Sequence, residues 1–439
     1  MRRIFPDHAY SNARIAGCYW ADTVSDAALS RPALKGAQKA DVAIIGAGFT
    51  GLSAALALAE AGVSVSVLEA GFPGWGASGR NGGFCCLGGA KASDAMLDRQ
   101  HGKPARLAYR RAEASAINHV ADTLEKHSIQ ADVHSKGETQ LAHNARVNFE
   151  KDARAIEENY GVTPTLHTRE ELPALGMSGQ FHSAITTPVG FGLNPRKYLA
   201  GLLKAAEAAG VQVFGQSPVN KINRAQKYSL ATPQGTLEAE QLIVATNGYS
   251  SEDVPEWMAA RYMPAQSSVI VTRELTETEL ANGWNSDQAA YDNRTLLHYF
   301  RLMPNRRFLF GMRGGLMSTK ASEARNRRQI RADFEAMFPA WSQVETPFYW
   351  SGMVCLAAGL TPFAGPVPEM SGAYAGFAYH GNGVAMGSYT GALLADQILG
   401  ANKLHTPKLM AKPPKRFPLG RARRALMYGV YAGAALKDL

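Results

Sequence analysis

The sequence predicts a mixed α/β (α+β) fold: a parallel, helix-covered sheet assembled from separated parts of the chain, with a largely antiparallel sheet inserted into it. Three observations lead there. Val42-Ala43-Ile44-Ile45 is a continuous apolar run ending in glycine, as expected of a buried parallel strand. Helix formers over 50–61 and the β-rich Val63–Leu68 follow, completing a strand–turn–helix–strand unit. Far downstream, 374–399 returns to a glycine turn plus helix, after long stretches of short alternating runs and turns.

Composition supports a large core. The 439 residues are 46% hydrophobic and 19% charged, which implies two or three domains and excludes a disordered tail or a disulfide miniprotein. The 43 glycines show no triplet period, so they mark tight backbone sites. Cys18, Cys85, Cys86 and Cys355 form neither a disulfide framework nor a C-x-x-C pair, and no metal site is read; a reducing, cytoplasmic setting is expected. The first residues, MRRIFPDHAYSNARIAGCYW, lack the apolar core of a secretory signal, and no apolar run predicts a transmembrane span. Of the net charge of +9, residues 401–439 contribute +8 (nine Lys/Arg against Asp438), leaving +1 for the body. Charge this local does not predict a nucleic-acid groove.

Along the chain, residues 1–39 read as an extended lead-in with mixed helix. Leu107, Ala114, Ile117, Val120, Ala121 and Leu124 fall at helical spacing within 105–127, and 196–209 is a second helix. Strands are expected near 211–214, 219–223, 228–232, Gln241–Thr246 and Phe308–Met312. The expected division is 40–134, 190–258 and 356–400 for a discontinuous nucleotide domain, 135–189 and 259–355 for a substrate domain, and 401–439 for a basic tail. Leu426, Met427, Val430, Tyr431 and Ala434 give that tail an apolar helical face. It reads first as a helix packed on its own body, with a partner or an anionic membrane surface as the alternative.

Gly46-Ala47-Gly48-Phe49-Thr50-Gly51 fits G-x-G-x-x-G directly between strand and helix, the mark of a Rossmann-like dinucleotide site. The glycines allow a tight turn, close approach of a diphosphate to backbone, and helix–strand packing; free N–H groups at the helix start meet the anion. Glu69, ending the second strand, can accept from ribose hydroxyls, with Ala70 beside it. The polar, glycine-rich loop after it offers Ser78, Arg80, Asn81 and Gly82 to a large ligand, favouring a flavin dinucleotide over a nicotinamide one. Near the other end, Gly381, Asn382, Gly383 and Val384 precede a helix whose positive end suits the charge of a reduced flavin ring.

With both motifs in place, the chain resembles the FAD-dependent oxidoreductases of the D-amino-acid oxidase (DAO) superfamily, with their glutathione-reductase-2-like fold. The resemblance rests on GAGFTG with Glu69, ASGRNGG at 77–83, GFGLNPRKYLAGLLKAAEAAGV at 190–211 and VATNGY at 244–249. It continues through YFRLMPNRRFLFGMR at 299–313, WSG at 350–352 and GFAYHGNGVA at 376–385. ASGRNGG, YFR and WSG look most like the γ-glutamylputrescine oxidase branch. The resemblance implies that Val219 holds the adenine end through its backbone and that Thr246, Asn247 and Gly248 line the dinucleotide. It also implies FAD held without a covalent tether, a small amine or amino-acid substrate, hydride removal from the carbon next to nitrogen, and O2 as acceptor. A dehydrogenase passing electrons to a carrier is the alternative within the class. An NAD(P)H-dependent flavin monooxygenase is disfavoured, since no second dinucleotide motif is found.

Departures from the family pattern matter. The places of its carboxylate-binding arginine, its basic residue after the ring glycine, and its oxygen-activating lysine fall on Val354, near Ala385 and near Leu309. Arg301 is therefore the expected carboxylate reader, capable of a bidentate contact, with Tyr299 and His380 the other candidate catalytic residues.

Overall fold

The computed structural model describes residues 1–437, with side chains for all of them except Ala432 and 434–437; the expected apolar role of Ala434 lies outside the described side chains. Among the described residues, two eight-stranded sheets carry the fold. The first runs Phe363–Pro366, Ala373–Phe377, Gly235–Val244, Gly36–Ile45, Val65–Leu68, Gln212–Phe214, with the ribbon Lys221–Arg224 and Tyr228–Ala231 attached to Gly235–Val244. Its pairings from Ala373–Phe377 through Gln212–Phe214 are parallel, and helix Phe49–Glu60 supplies the crossover between Gly36–Ile45 and Val65–Leu68. The first strand begins at Gly36, six residues before the apolar run that starts at Val42. Its early residues pair with Gly235–Ala239 in a mostly exposed ribbon, where no apolar run announces a strand.

The second sheet is ordered Phe348–Leu356, Met263–Val271, Phe308–Arg313, His298–Leu302, Ala289–Asp292, Glu138–Leu141, Ser183–Thr187, Thr165–Thr168. Its pairs are antiparallel except Glu138–Leu141 with Ala289–Asp292. Strand alternation then sorts the side chains. Phe300, Phe308, Phe310 and Met312 enter an aromatic core with Phe338 and Trp341. Tyr299, Arg301, Leu309, Gly311 and Arg313 take the opposite face, which is the one that meets the first sheet's layer.

Helix Ala385–Leu399 crosses helix Phe49–Glu60 with backbone nearly touching backbone. A Cβ on Gly391 would lie 2.3 Å from the Thr50 carbonyl oxygen, and Thr50 Oγ1 donates to the Gly387 carbonyl at 2.9 Å. This contact brings the two glycine motifs to one place.

The tail packs on its own body. Arg423, fully buried, makes a two-pronged ion pair with Glu252 (2.7 and 3.1 Å) and donates to the Tyr262 carbonyl at 2.9 Å. In helix Arg424–Lys437, Met427 joins Met263 and Leu316 with Tyr431 alongside, whereas Leu426 and Val430 are exposed. The inward stripe is thus 427/431, one step away from 426/430.

Trp341 is completely buried and donates from its indole to the Glu279 carbonyl at 2.9 Å. Replacing it with alanine, by leaving a cavity and an unpaired carbonyl, is expected to cost about 3–5 kcal/mol; a lowered denaturant midpoint with unchanged slope is the readout.

Candidate active site

One cavity of about 370 Å3 collects residues from both sheets and both chain ends. It opens beyond the carboxyl ends of Gly36–Ile45 and Gly235–Val244, where parallel α/β sheets hold their ligands. Of the residues expected to bind cofactor, Gly46, Gly48, Thr50, Glu69, Ala70, Ser78, Arg80, Asn81, Gly82, Val219, Thr246, Asn247, Gly381, Asn382, Gly383 and Val384 line it. Gly51 and Gly248 do not. Gly51 lies behind the turn, where a Cβ would sit 1.9 Å from the Gly46 carbonyl oxygen, and Gly248 backs onto Met353 and Val354.

The first motif fits a dinucleotide by its donors. Helix Phe49–Glu60 starts at the cavity with its amide end leading, ready for an anionic diphosphate. Ser78 also braces the turn, its hydroxyl accepting from the Phe49 amide at 3.0 Å. The Glu69 oxygens accept from the amides of Ala47 and Gly71, each at 2.9 Å, which leaves lone pairs for ribose hydroxyls. Burial raises its pKa, and these amides counter the rise.

Arg80 and Asn81 mainly brace the loop. The Arg80 guanidinium lies over the Trp75 ring and donates to the carbonyls of Trp75, Gly76 and Ser351. Asn81 donates to the Ala77 and Ser78 carbonyls and accepts from the Gly83 amide.

The second motif is a strained turn held from several sides. Ala378 and His380 have left-handed backbone (φ 68° and 51°), as does Asn247 (φ 43°), whose side-chain oxygen accepts from the Ala378 amide at 3.0 Å. Such residues cost roughly 1–3 kcal/mol each and persist where surroundings dictate them. His380 Nε2 accepts from the Ala357 amide (3.2 Å), so the proton is on Nδ1, which donates to the Gly89 carbonyl (2.7 Å). Burial, then the charges of Lys91 and Arg313, bring its pKa down to about 4. His380 is therefore a fixed, neutral pin rather than a titrating base. Asn382 donates to the Leu87 carbonyl at 2.7 Å. Together these two bonds fasten segment 87–91 to the turn and deliver Lys91 to the cavity.

Arg301 is corrected by the structure. It faces the expected side of its strand, but it is buried and does not line the cavity. Its guanidinium donates to the Gly82 carbonyl (2.9 Å), the Leu193 carbonyl (2.7 Å) and His134 Nε2 (2.6 Å), tying loop to sheet. Arg313, on the same face of the neighbouring strand, does line the cavity. A Cβ on Gly381 (φ 111°) would lie 2.1 Å from Arg313 Nη2, so the ring-motif glycine is also what admits this guanidinium. Among the described residues Arg313 has no carboxylate partner.

Lys91 and Glu138 stand in the same cavity with Tyr291 and Tyr299, the last sharing a 2.9 Å hydrogen bond with Ser267. The neighbouring Arg313 charge brings Lys91, which is exposed where it meets the cavity, down to about 7, while burial pushes Glu138 up to about 8. Sequence reading passed over Arg313, Lys91 and Glu138. For Arg313 the signal was present, since it shares strand parity with Leu309. Among the described residues no helix is long and apolar enough to cross a membrane, and no His/Cys/Asp/Glu group has metal-holding geometry.

Comparison with known proteins agrees with this architecture. The probable oxidoreductase OrdL of Haemophilus influenzae is 31% identical over 419 residues, spanning 93% of this chain and 91% of that protein. The gamma-glutamylputrescine oxidoreductase of Escherichia coli is 27% identical over 399 residues, spanning 88% and 89%. Among solved structures, iminodiacetate oxidase from Chelativorans sp. BNC1 superposes with a TM-score of 0.69 at 18% identity, covering 84% of this chain and 98% of that one. Glycine oxidase from Geobacillus kaustophilus gives 0.68 at 20%, covering 85% and 98%. Residues 41–397 match the family described as DAO, FAD dependent oxidoreductase, and the chain belongs to it.

Proposed function

We propose that this flavoenzyme oxidises a small amine that also bears a carboxylate, removing hydride from the carbon next to nitrogen and leaving an imine that water hydrolyses. The observation that carries the reading is Arg313, a cavity cation without a carboxylate partner among the described residues, set directly on the Gly381 turn. γ-Glutamylputrescine, sarcosine, glycine and iminodiacetate all combine an amine with a carboxylate, and similar proteins include a gamma-glutamylputrescine oxidoreductase, a glycine oxidase and an iminodiacetate oxidase. Bound FAD, held without a covalent tether, supplies the hydride acceptor.

The protein's own residues then position the substrate and manage its proton. Arg313 offers a planar fork to the carboxylate. Tyr299 and Tyr291 wall the cavity and exclude water. An amine must lose its ammonium proton before its C–H can give up hydride, and Lys91 Nζ is the acceptor we assign. The assignment carries a built-in coupling. A carboxylate on Arg313 cancels the charge that lowers Lys91, so anchoring the acid end makes Lys91 a stronger base when the amine arrives. Dioxygen is the acceptor in this reading: Lys91, once it holds the amine proton, would give the cavity a positive charge to favour the negative charge that oxygen gains.

Anaerobic mixing with a panel of amines tests the function: N-substituted amino acids should bleach the flavin, and turnover in air should release peroxide. Bleaching without peroxide would point to a carrier, and no bleaching by any amine would end the reading. Arg313→Met should weaken binding of carboxylate-bearing substrates about 10- to 100-fold and leave the matching decarboxylated amines unaffected.

The coupling has its own pH signature. Above about 7 Lys91 is neutral in the ligand-free cavity, so binding a non-oxidisable carboxylate such as propionate should take up protons near pH 8. Near pH 6, where Lys91 is already charged, uptake should be small. Calorimetry in two buffers of different ionisation enthalpy measures it, and Lys91→Met should cut the uptake near pH 8.

A further inference from the structure

The matched family region, 41–397, omits both chain ends, yet the N-terminal end reaches the cofactor cavity and the C-terminal helix packs on that end. Met1, Arg3 and Tyr10 line that cavity together with Tyr249, Ser250 and Ser251. The Arg3 guanidinium carbon lies 4.2 Å over the Tyr10 ring, and the Tyr10 ring packs edge-on against Tyr249 with centroids 6.5 Å apart. Arg3 Nε is buried without a hydrogen-bond partner, and among the described residues Arg3 has no ion pair. A buried, unmatched donor on a cation is unfavourable unless something anionic or polar completes it.

The segment carrying Arg3 is pinned on both sides. The Arg2 amide donates to Asp253 Oδ1 and the Glu252 amide donates to the Arg2 carbonyl, each at 2.7 Å. His8 Nε2 lies 2.6 Å from Glu323 Oε2, and Arg14 Nε donates to Ser351 Oγ at 2.8 Å. Over its outer surface runs the start of the C-terminal helix. Arg424 stacks 4.7 Å from the Phe5 ring centroid and donates to the Ile4 carbonyl at 3.4 Å. Beside it, the buried Arg423–Glu252 pair fixes the same corner, since the Glu252 amide also donates to the Arg2 carbonyl.

We propose that residues 1–14 form a cofactor-binding strap, latched by Arg424, in which Arg3 donates to the anionic dinucleotide. The strap adds a positive charge to a cavity in which the Gly46–Gly51 turn contributes backbone N–H groups. Arg3 is then a direct ligand-binding residue, and Arg424, which is absent from the cavity lining, a positioning residue acting through Ile4 and Phe5.

Titrating apoprotein with FAD and following flavin fluorescence tests this without reference to turnover. Arg3→Ala should raise the FAD Kd about tenfold and flatten its dependence on salt, and Arg3→Lys should recover part of the loss. Arg424→Ala should speed FAD release after dilution several-fold, and FAD should protect the first fourteen residues of the wild-type chain from limited proteolysis. The melting temperature of each apoprotein identifies variants that are merely unfolded. The proposal is overturned if well-folded Arg3→Ala binds FAD with the wild-type Kd and salt dependence, or if FAD leaves proteolysis at the N-terminus unchanged.

Discussion

The site depends on one close contact, the crossing of helices Phe49–Glu60 and Ala385–Leu399 at Thr50 and Gly391. Each helix begins at one end of the cavity-lining set, the first after the Gly46–Gly48 turn and the second after the Gly381–Gly383 turn. Their separation therefore sets how far the amides of the Gly46–Gly48 turn stand from the Gly381 turn, against which the Arg313 guanidinium lies. Any side chain beyond hydrogen at 391 meets the Thr50 carbonyl and the Ala54 amide, which are backbone and cannot swing aside. Protein interiors tolerate such misfit poorly, because neighbouring atoms are already close-packed. The hydroxyl of Thr50, shared between the Gly387 carbonyl and Tyr379, adds direction to a contact that packing alone would leave free to rotate.

Much of the fold was readable in the sequence because its signals are local. The Val42–Ile45 strand, the glycine turn and the helix after it depend on neighbours within a few residues, and the alternation of Phe308–Arg313 is a period-two pattern. The site was only half readable, for a physical reason. Arg301 and Arg313 share one sheet face, so parity admits both; what separates them is position along the strands, fixed by pairing to Leu309 and Ser267 respectively. No pattern within YFRLMPNRRFLFGMR reveals that Gly82, Leu193 and His134 surround the first and Gly381 the second. Lys91 was harder still. Its loop carries no regular structure, and its placement depends on Asn382 and His380 reaching it across nearly the whole chain. His380 itself was noticed for its position beside the turn, but its role as a neutral pin becomes visible only once both nitrogens have partners.

The basic tail shows how composition misleads when charges are counted rather than located. Eight surplus positive charges in 401–439 look like a surface for an anionic partner. In the folded chain Arg423 is fully buried against Glu252, and Arg424 stacks on Phe5 and reaches the Leu316 and Ile4 carbonyls. Those guanidiniums serve as internal fasteners, where a planar multi-donor group outperforms a lysine. The remaining charge is more dispersed than the sequence total implies.

The crossing at Gly391 has a consequence for biosynthesis. A ribosome completes the Gly46–Gly51 turn first, and the helix that must lie against it emerges only after a further stretch of roughly 330 residues. Until then the nascent protein has half a receptacle, with an apolar groove along Phe49–Glu60 open to whatever is nearby. A receptacle with both ends in place thus waits for the later helix to be made and docked.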